Sequence, residues 1–166
     1  MKTPAISDLR GSLILGAILV GYDAVFTGSY LMTSFGGPIW LLVAITKALI
    51  RRNNWSLSLY RIAIPLVTMG LVFANARLQS KIARSHAELI IQVCKQYQKS
   101  HGIFPPTLDA LVPEYLHSVP RAKYSLVFGG YWYSEWKGRH DLMWIEIPPF
   151  GRPYYIFEEA RWGYLD

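Results

Sequence analysis

The 166-residue chain has one cysteine, Cys94, so no disulfide can close within it. It has no Cys-x-x-Cys pair, no His-Glu-x-x-His and no Cys/His set at zinc spacing. Structural zinc and dithiol redox chemistry are thereby excluded. A P-loop, a Rossmann glycine set and a nucleophile elbow are missing as well. The histidines, His86, His101, His117 and His140, are dispersed and read as core, cap and surface residues. Glu146, Glu158 and Glu159 fall near strand ends, but no spacing among them fixes general acid–base work. A non-catalytic protein with no cofactor is the expectation.

Charge is scarce in the first half. Residues 1–76 carry only Lys2, Arg10, Lys47, Arg51, Arg52 and Arg61 against Asp8 and Asp23. The other ionisable groups crowd into 77–166. Much of the formal net charge of +6 therefore sits beside apolar runs, which is the pattern of membrane topology rather than of nucleic-acid contact. No basic patch interleaves with a nucleic-acid motif.

What the first half does have is long apolar runs. Residues 12–32 form one, broken only by Asp23, and about 20 such residues cross a bilayer core. The run is too long for a signal-peptide core and no small-x-small site follows it, so a retained span is expected. Phe35-Gly36-Gly37-Pro38 reads as a turn, leaving a short second run at 38–50. A basic loop with Lys47, Arg51 and Arg52 follows, and a third run at 57–76 contains Arg61 and Pro65. Basic-residue placement puts the N-terminus and the 47–54 loop in the cytoplasm and everything after the third span outside. Asp23 has two readings, an intramembrane functional acid paired with Arg61 or a solvated residue near the interface.

Beyond residue 76 the pattern changes with no turn signal. Leu78, Ile82, His86, Leu89, Ile90, Val93 and Tyr97 recur at spacings of three and four, which predicts one apolar face on a continuing helix. Residues 57–101 would then make a single helix about 67 Å long, roughly twice the membrane core. Gly102 is positioned to end it. Phe104-Pro105-Pro106 forces extended chain, and Thr107 is placed to cap a short helix carrying Leu108, Leu111, Val112, Tyr115 and Leu116.

This cassette, Tyr97…His101-Gly102 followed by Phe104-Pro-Pro-Thr107-Leu-Asp-Ala-Leu111-Val-Pro-Glu-Tyr115-Leu and Val119-Pro120, resembles pilin-like and pseudopilin-like periplasmic domains. The resemblance covers about residues 57–120. It implies a long helix that crosses the membrane and packs its amphipathic half on an antiparallel sheet. No prepilin-peptidase site precedes the third run, so the resemblance extends to the fold and not to assembly into a fibre. The tail from Pro148 to Asp166 is similar to that of small bacterial membrane proteins.

The remainder reads as strands at 124–128, 131–136, 142–147, 153–157 and 161–165, with Gly129-Gly130 as a hairpin turn and 137–141 as the next. The fold class is thus three transmembrane helices plus an α+β domain whose long helix packs on a four- or five-stranded sheet. Segments fall at 1–56, 57–101 and 102–166. Tyr131, Trp132, Tyr133, Trp136 and Trp144 are candidates for an aromatic binding patch, against cross-strand packing as the plainer reading.

The functional expectation is an inner-membrane protein that presents a periplasmic pilin-like domain to a protein partner, as an accessory factor of type IV pili or secretion would. The lipid bilayer is its other partner, and a homo-oligomer is left open. Alternatives are an immunity-type protein that neutralises a toxin, or a small transporter using Asp23 and Arg61.

Overall fold

The computed structural model describes residues 6–50 and 55–166. Lys2, Arg51 and Arg52, on which part of the topology reading rests, lie outside them. The chain forms two compact units, Met1–Arg77 and Leu78–Asp166. Three helices are long and apolar enough to cross a membrane: Ser7–Thr27, Leu31–Ile50 and Trp55–His101.

The first unit opens with α1 (Ile6–Leu19), which runs into a π-helical segment, Val20–Thr27. The chain turns at Gly28, which adopts a left-handed backbone. Helix α2 spans Leu31–Ile50, so the expected turn at residues 35–38 is not there. Gly36, Gly37 and Pro38 lie inside the helix, as glycine and proline often do in lipid, where neighbouring helices support the backbone. Gly37 is buried, and a Cβ there would come 2.9 Å from the Met69 side chain. The Gly-Gly pair marks a close helix contact rather than a bend, and α2 gains the length the sequence reading found short.

Helix α3 runs unbroken from Trp55 to His101 with Pro65 inside it. It ends as expected, with Gly102 at φ +79° and its N–H donated to Gln98 O. In the second unit its buried stripe keeps Ile90, Val93 and Tyr97 of the predicted face but is otherwise shifted. Ala83, Ala87, Ile90 and Cys94 are buried, whereas Leu78 and Leu89 are exposed. The contact is set by small residues, which let aromatic rings approach the helix backbone. Tyr131 donates its hydroxyl to Ala83 O.

Thr107 leads into a short 3₁₀ turn, Leu108–Leu111, but makes no side-chain cap. Ala110 N–H donates to its backbone oxygen instead. Leu108, Leu111 and Leu116 are buried and Tyr115 packs on the same core.

Four antiparallel strands follow in the order β1 (Trp132–Trp136), β2 (Arg139–Met143), β3 (Arg152–Ile156) and β4 (Arg161–Leu165). The β1–β2 hairpin closes through Lys137 and Gly138, both at positive φ, which matches the twist of the strands. Arg139, His140 and Asp141, expected in a turn, are therefore strand residues. Residues 124–128 form no strand. The Gln79 side chain takes the place of a sheet neighbour, accepting from Tyr124 N–H at 2.9 Å and donating to Tyr124 O at 3.5 Å.

Register separates the two faces of the sheet. Tyr133, Leu142, Tyr155 and Trp162 are consecutive cross-strand partners and pack in or against the core. Trp132, Met143, Tyr154 and Gly163 form the adjacent row, which by the period-two rule points the other way.

Candidate functional site

The five aromatic residues singled out in the sequence divide between the two faces. Trp144 is 2% exposed and stacks edge-on with Tyr131 and Trp162. Tyr131 and Tyr133 pack against the core, and Tyr133 donates its hydroxyl to Pro105 O at 2.9 Å. Burial pushes both phenols above their ordinary pKa. Only Trp132, at 49%, and Trp136, at 74%, are exposed. One continuous patch is thus not formed, because strand alternation sends neighbours to opposite faces.

Of this exposed pair, Trp132 belongs to a different constellation. An open groove of about 420 Å³ is lined by Phe128, Trp132, Met143, Ile145, Pro149 and Arg152. Its walls are apolar, and Arg152 makes no ion pair among the described residues. Beneath its neighbouring row, Tyr154 lies where a Gly163 side chain would be, so the glycine keeps that part of the face flat. Strand β1, at the edge of the sheet, brings Trp132 to the groove, and Trp136 follows four residues on along the same strand. Phe128, Ile145 and Pro149 carried no sequence signal, since they come from loops whose course depends on the tertiary fold.

Asp23 is fully buried. Its carboxylate accepts from Thr33 N–H at 2.6 Å and Met32 N–H at 3.2 Å. It therefore caps α2 from nine and ten residues upstream, satisfying two donors at the positive end of the helix dipole. The expected pairing with Arg61 is not formed. Arg61 Nη2 donates to Asp8 O at 3.3 Å, and Asp8 precedes Asp23 by 15 positions along α1 and its π-helical extension, about 22 Å of helix. The capping role was hidden because its partners are backbone groups across a turn. Tyr30, at the start of α2, offers no carboxylate of its own.

Other titratable groups are held structurally. Cys94 is buried and its thiol is pushed up to about 12 by burial, which leaves almost no thiolate at neutral pH. His140 sits between Glu158, 2.7 Å from its Nδ1, and Glu135, 3.8 Å from its Nε2. Burial pushes the Glu158 carboxyl up, but hydrogen bonds from the His140 ring and backbone outweigh it and hold it low. Lys123 is buried and donates to Glu146 O. Burial lowers its ammonium to about 8, against a smaller opposing effect of the Glu146 charge. Among the described residues no group of three or more His, Cys, Asp or Glu side chains is placed to hold a metal ion.

Comparisons with protein-family models, curated proteins and solved structures returned no match. The functional reading therefore rests on the geometry.

Proposed function

We propose that this is a non-catalytic membrane protein that presents its sheet domain to a protein partner. In this reading the N-terminus is cytoplasmic, the domain is periplasmic in a bacterial inner membrane, and the fold is pilin-like. The protein acts as an accessory factor in an envelope assembly such as a type IV pilus or secretion system. The observation that carries the partner reading is the outer-face groove, apolar at its walls and bordered by the edge strand β1. Its chemistry fits an extended apolar segment added alongside β1, with a carboxylate to meet Arg152. The engagement of Asp23 in capping α2 weighs against the transporter alternative, which gave that acid a part in transport.

A photo-crosslinking amino acid placed at Trp136 or Phe128 in the full chain, in native membranes, tests this directly. Discrete adducts from both positions are expected, with none from Gln96 on the exposed face of α3. Ile145→Asp should abolish them while the protein accumulates normally. Equal adduct yield from Gln96, or adducts indifferent to Ile145→Asp, would reject the groove as the docking site.

A further inference from the structure

A second pocket, of about 460 Å³, lies within the helical unit. Helix α1 lines it with Asp8, Gly11, Ser12 and Leu15, and α2 with Trp40, Val43, Ala44 and Lys47. Each set is spaced i, i+3, i+4, i+7, which is one face of one helix. Arg61 of α3 closes the third side.

The pocket is graded along its length. Asp8, Lys47 and Arg61 stand near helix ends, two, three and six residues from the bounds of their helices. Leu15 and Trp40 lie seven residues deeper, about 10 Å along each helix. A Cβ at Gly16 would be 3.5 Å from the Trp40 ring, so the indole rests on α1 and forms the floor. The mouth is charged and the walls below it are apolar, so in a bilayer spanned by these helices the mouth would fall at the depth of lipid headgroups.

The cations at the mouth have few protein partners. The Lys47 side chain makes no hydrogen bond or ion pair among the described residues. Arg61 donates only to the Asp8 backbone oxygen, leaving most of its five N–H groups unused. Two cations and the Asp8 carboxylate leave one net positive charge, which a single phosphodiester matches. A guanidinium fork and an ammonium from different helices are suited to converge on phosphate oxygens.

From this we infer that the pocket is a binding site for an anionic phospholipid, its phosphate held between Lys47 and Arg61 and an acyl chain laid toward Trp40. The inference does not depend on the partner reading of the sheet domain.

The test is native mass spectrometry of the full-length protein released from nanodiscs of phosphatidylglycerol or phosphatidylcholine, with inorganic phosphate titrated separately. Wild-type protein should retain phosphatidylglycerol about tenfold over phosphatidylcholine, and Lys47→Gln or Arg61→Gln should each lower that retention about fivefold. Arg61→Lys should keep most of it. Lys47 has no polar partner to lose, so its variant reports binding even if Arg61→Gln disturbs folding, which helical circular dichroism would reveal. Equal retention of the two lipids, or an unchanged preference in Lys47→Gln and the double variant, would overturn the site. Inorganic phosphate bound as tightly as the lipid would assign the mouth to a free anion and overturn the lipid assignment.

Discussion

In the helical unit the large apolar side chains face outward. Ile39, Leu49, Val67 and Leu71 are exposed, while Asp23, Thr33 and Thr68 are buried. In the sheet unit the order is reversed: Leu111, Leu142, Trp144 and Phe157 are inside, and ion pairs such as Arg84–Glu88 and Arg161–Glu159 lie outside. The difference teaches how one chain meets two solvents. Where the surroundings are apolar, burial of hydrocarbon gives little drive for helices to associate. Cohesion in the helical unit must come from close backbone approach, as at Gly37, and from satisfied polar groups, as at Asp23. The sheet unit draws on apolar burial, and its polar contacts mostly anchor aromatic rims, as when Lys95 Nζ donates to Tyr155 OH at 2.9 Å.

The contrast breaks first at Asp23. Asp23→Leu leaves two N–H groups of α2 unpaired in an apolar setting and should cost about 3–5 kcal/mol. Asp23→Asn, whose one amide oxygen still accepts, should cost roughly half as much. Thermal unfolding in detergent measures both, and a loss below 1 kcal/mol for the leucine variant would show that α2 does not need this cap. In the sheet unit the matching probe is steric. Gly163→Val should cost about 1–3 kcal/mol, because its side chain meets the Tyr154 ring. Adding Tyr154→Ala should recover much of that loss. Independent, additive effects in the double variant would disprove the contact.

The remaining probe concerns pH. Lys123 has a folded pKa of about 8, below its ordinary 10.5. Between those values the unfolded chain binds more protons than the folded one, so this residue makes stability rise with pH, by at most about 1.4 kcal/mol per unit. Below pH 8 its cost is present in full, and above 10.5 it has gone. The stability difference between the wild type and Lys123→Met should therefore change with that sign across the window. A difference flat in pH would mean that Lys123 is solvated in the folded state.

Much of the architecture was legible. Apolar runs marked three helices of spanning length, and uninterrupted periodicity past residue 76 marked α3 as one helix. Period-two alternation gave β3 and β4 nearly to the residue. What escaped was decided by partners far away in sequence. Gly36-Gly37-Pro38 has the composition of a turn, and only the Met69 contact shows why it is helical. Residues 124–128 have strand composition, yet Gln79 supplies the bonds a neighbouring strand would have made. The aromatic group failed for a simpler reason. Trp132 and Tyr133 are adjacent, and adjacency on a strand means opposite faces. The candidate groove was the least legible part, since it joins three loop residues, Phe128, Ile145 and Pro149, to residues of β1, β2 and β3.

The cap on α2 also bears on how the chain enters a membrane. A carboxylate whose donors lie nine and ten positions downstream is uncompensated until those residues have arrived and turned back. The first apolar stretch, inserted by itself, would carry an acid into lipid without its two hydrogen-bond donors. Entry of the two helices together, as a hairpin, would supply those donors at once, so a single side chain ties the first helix to the second.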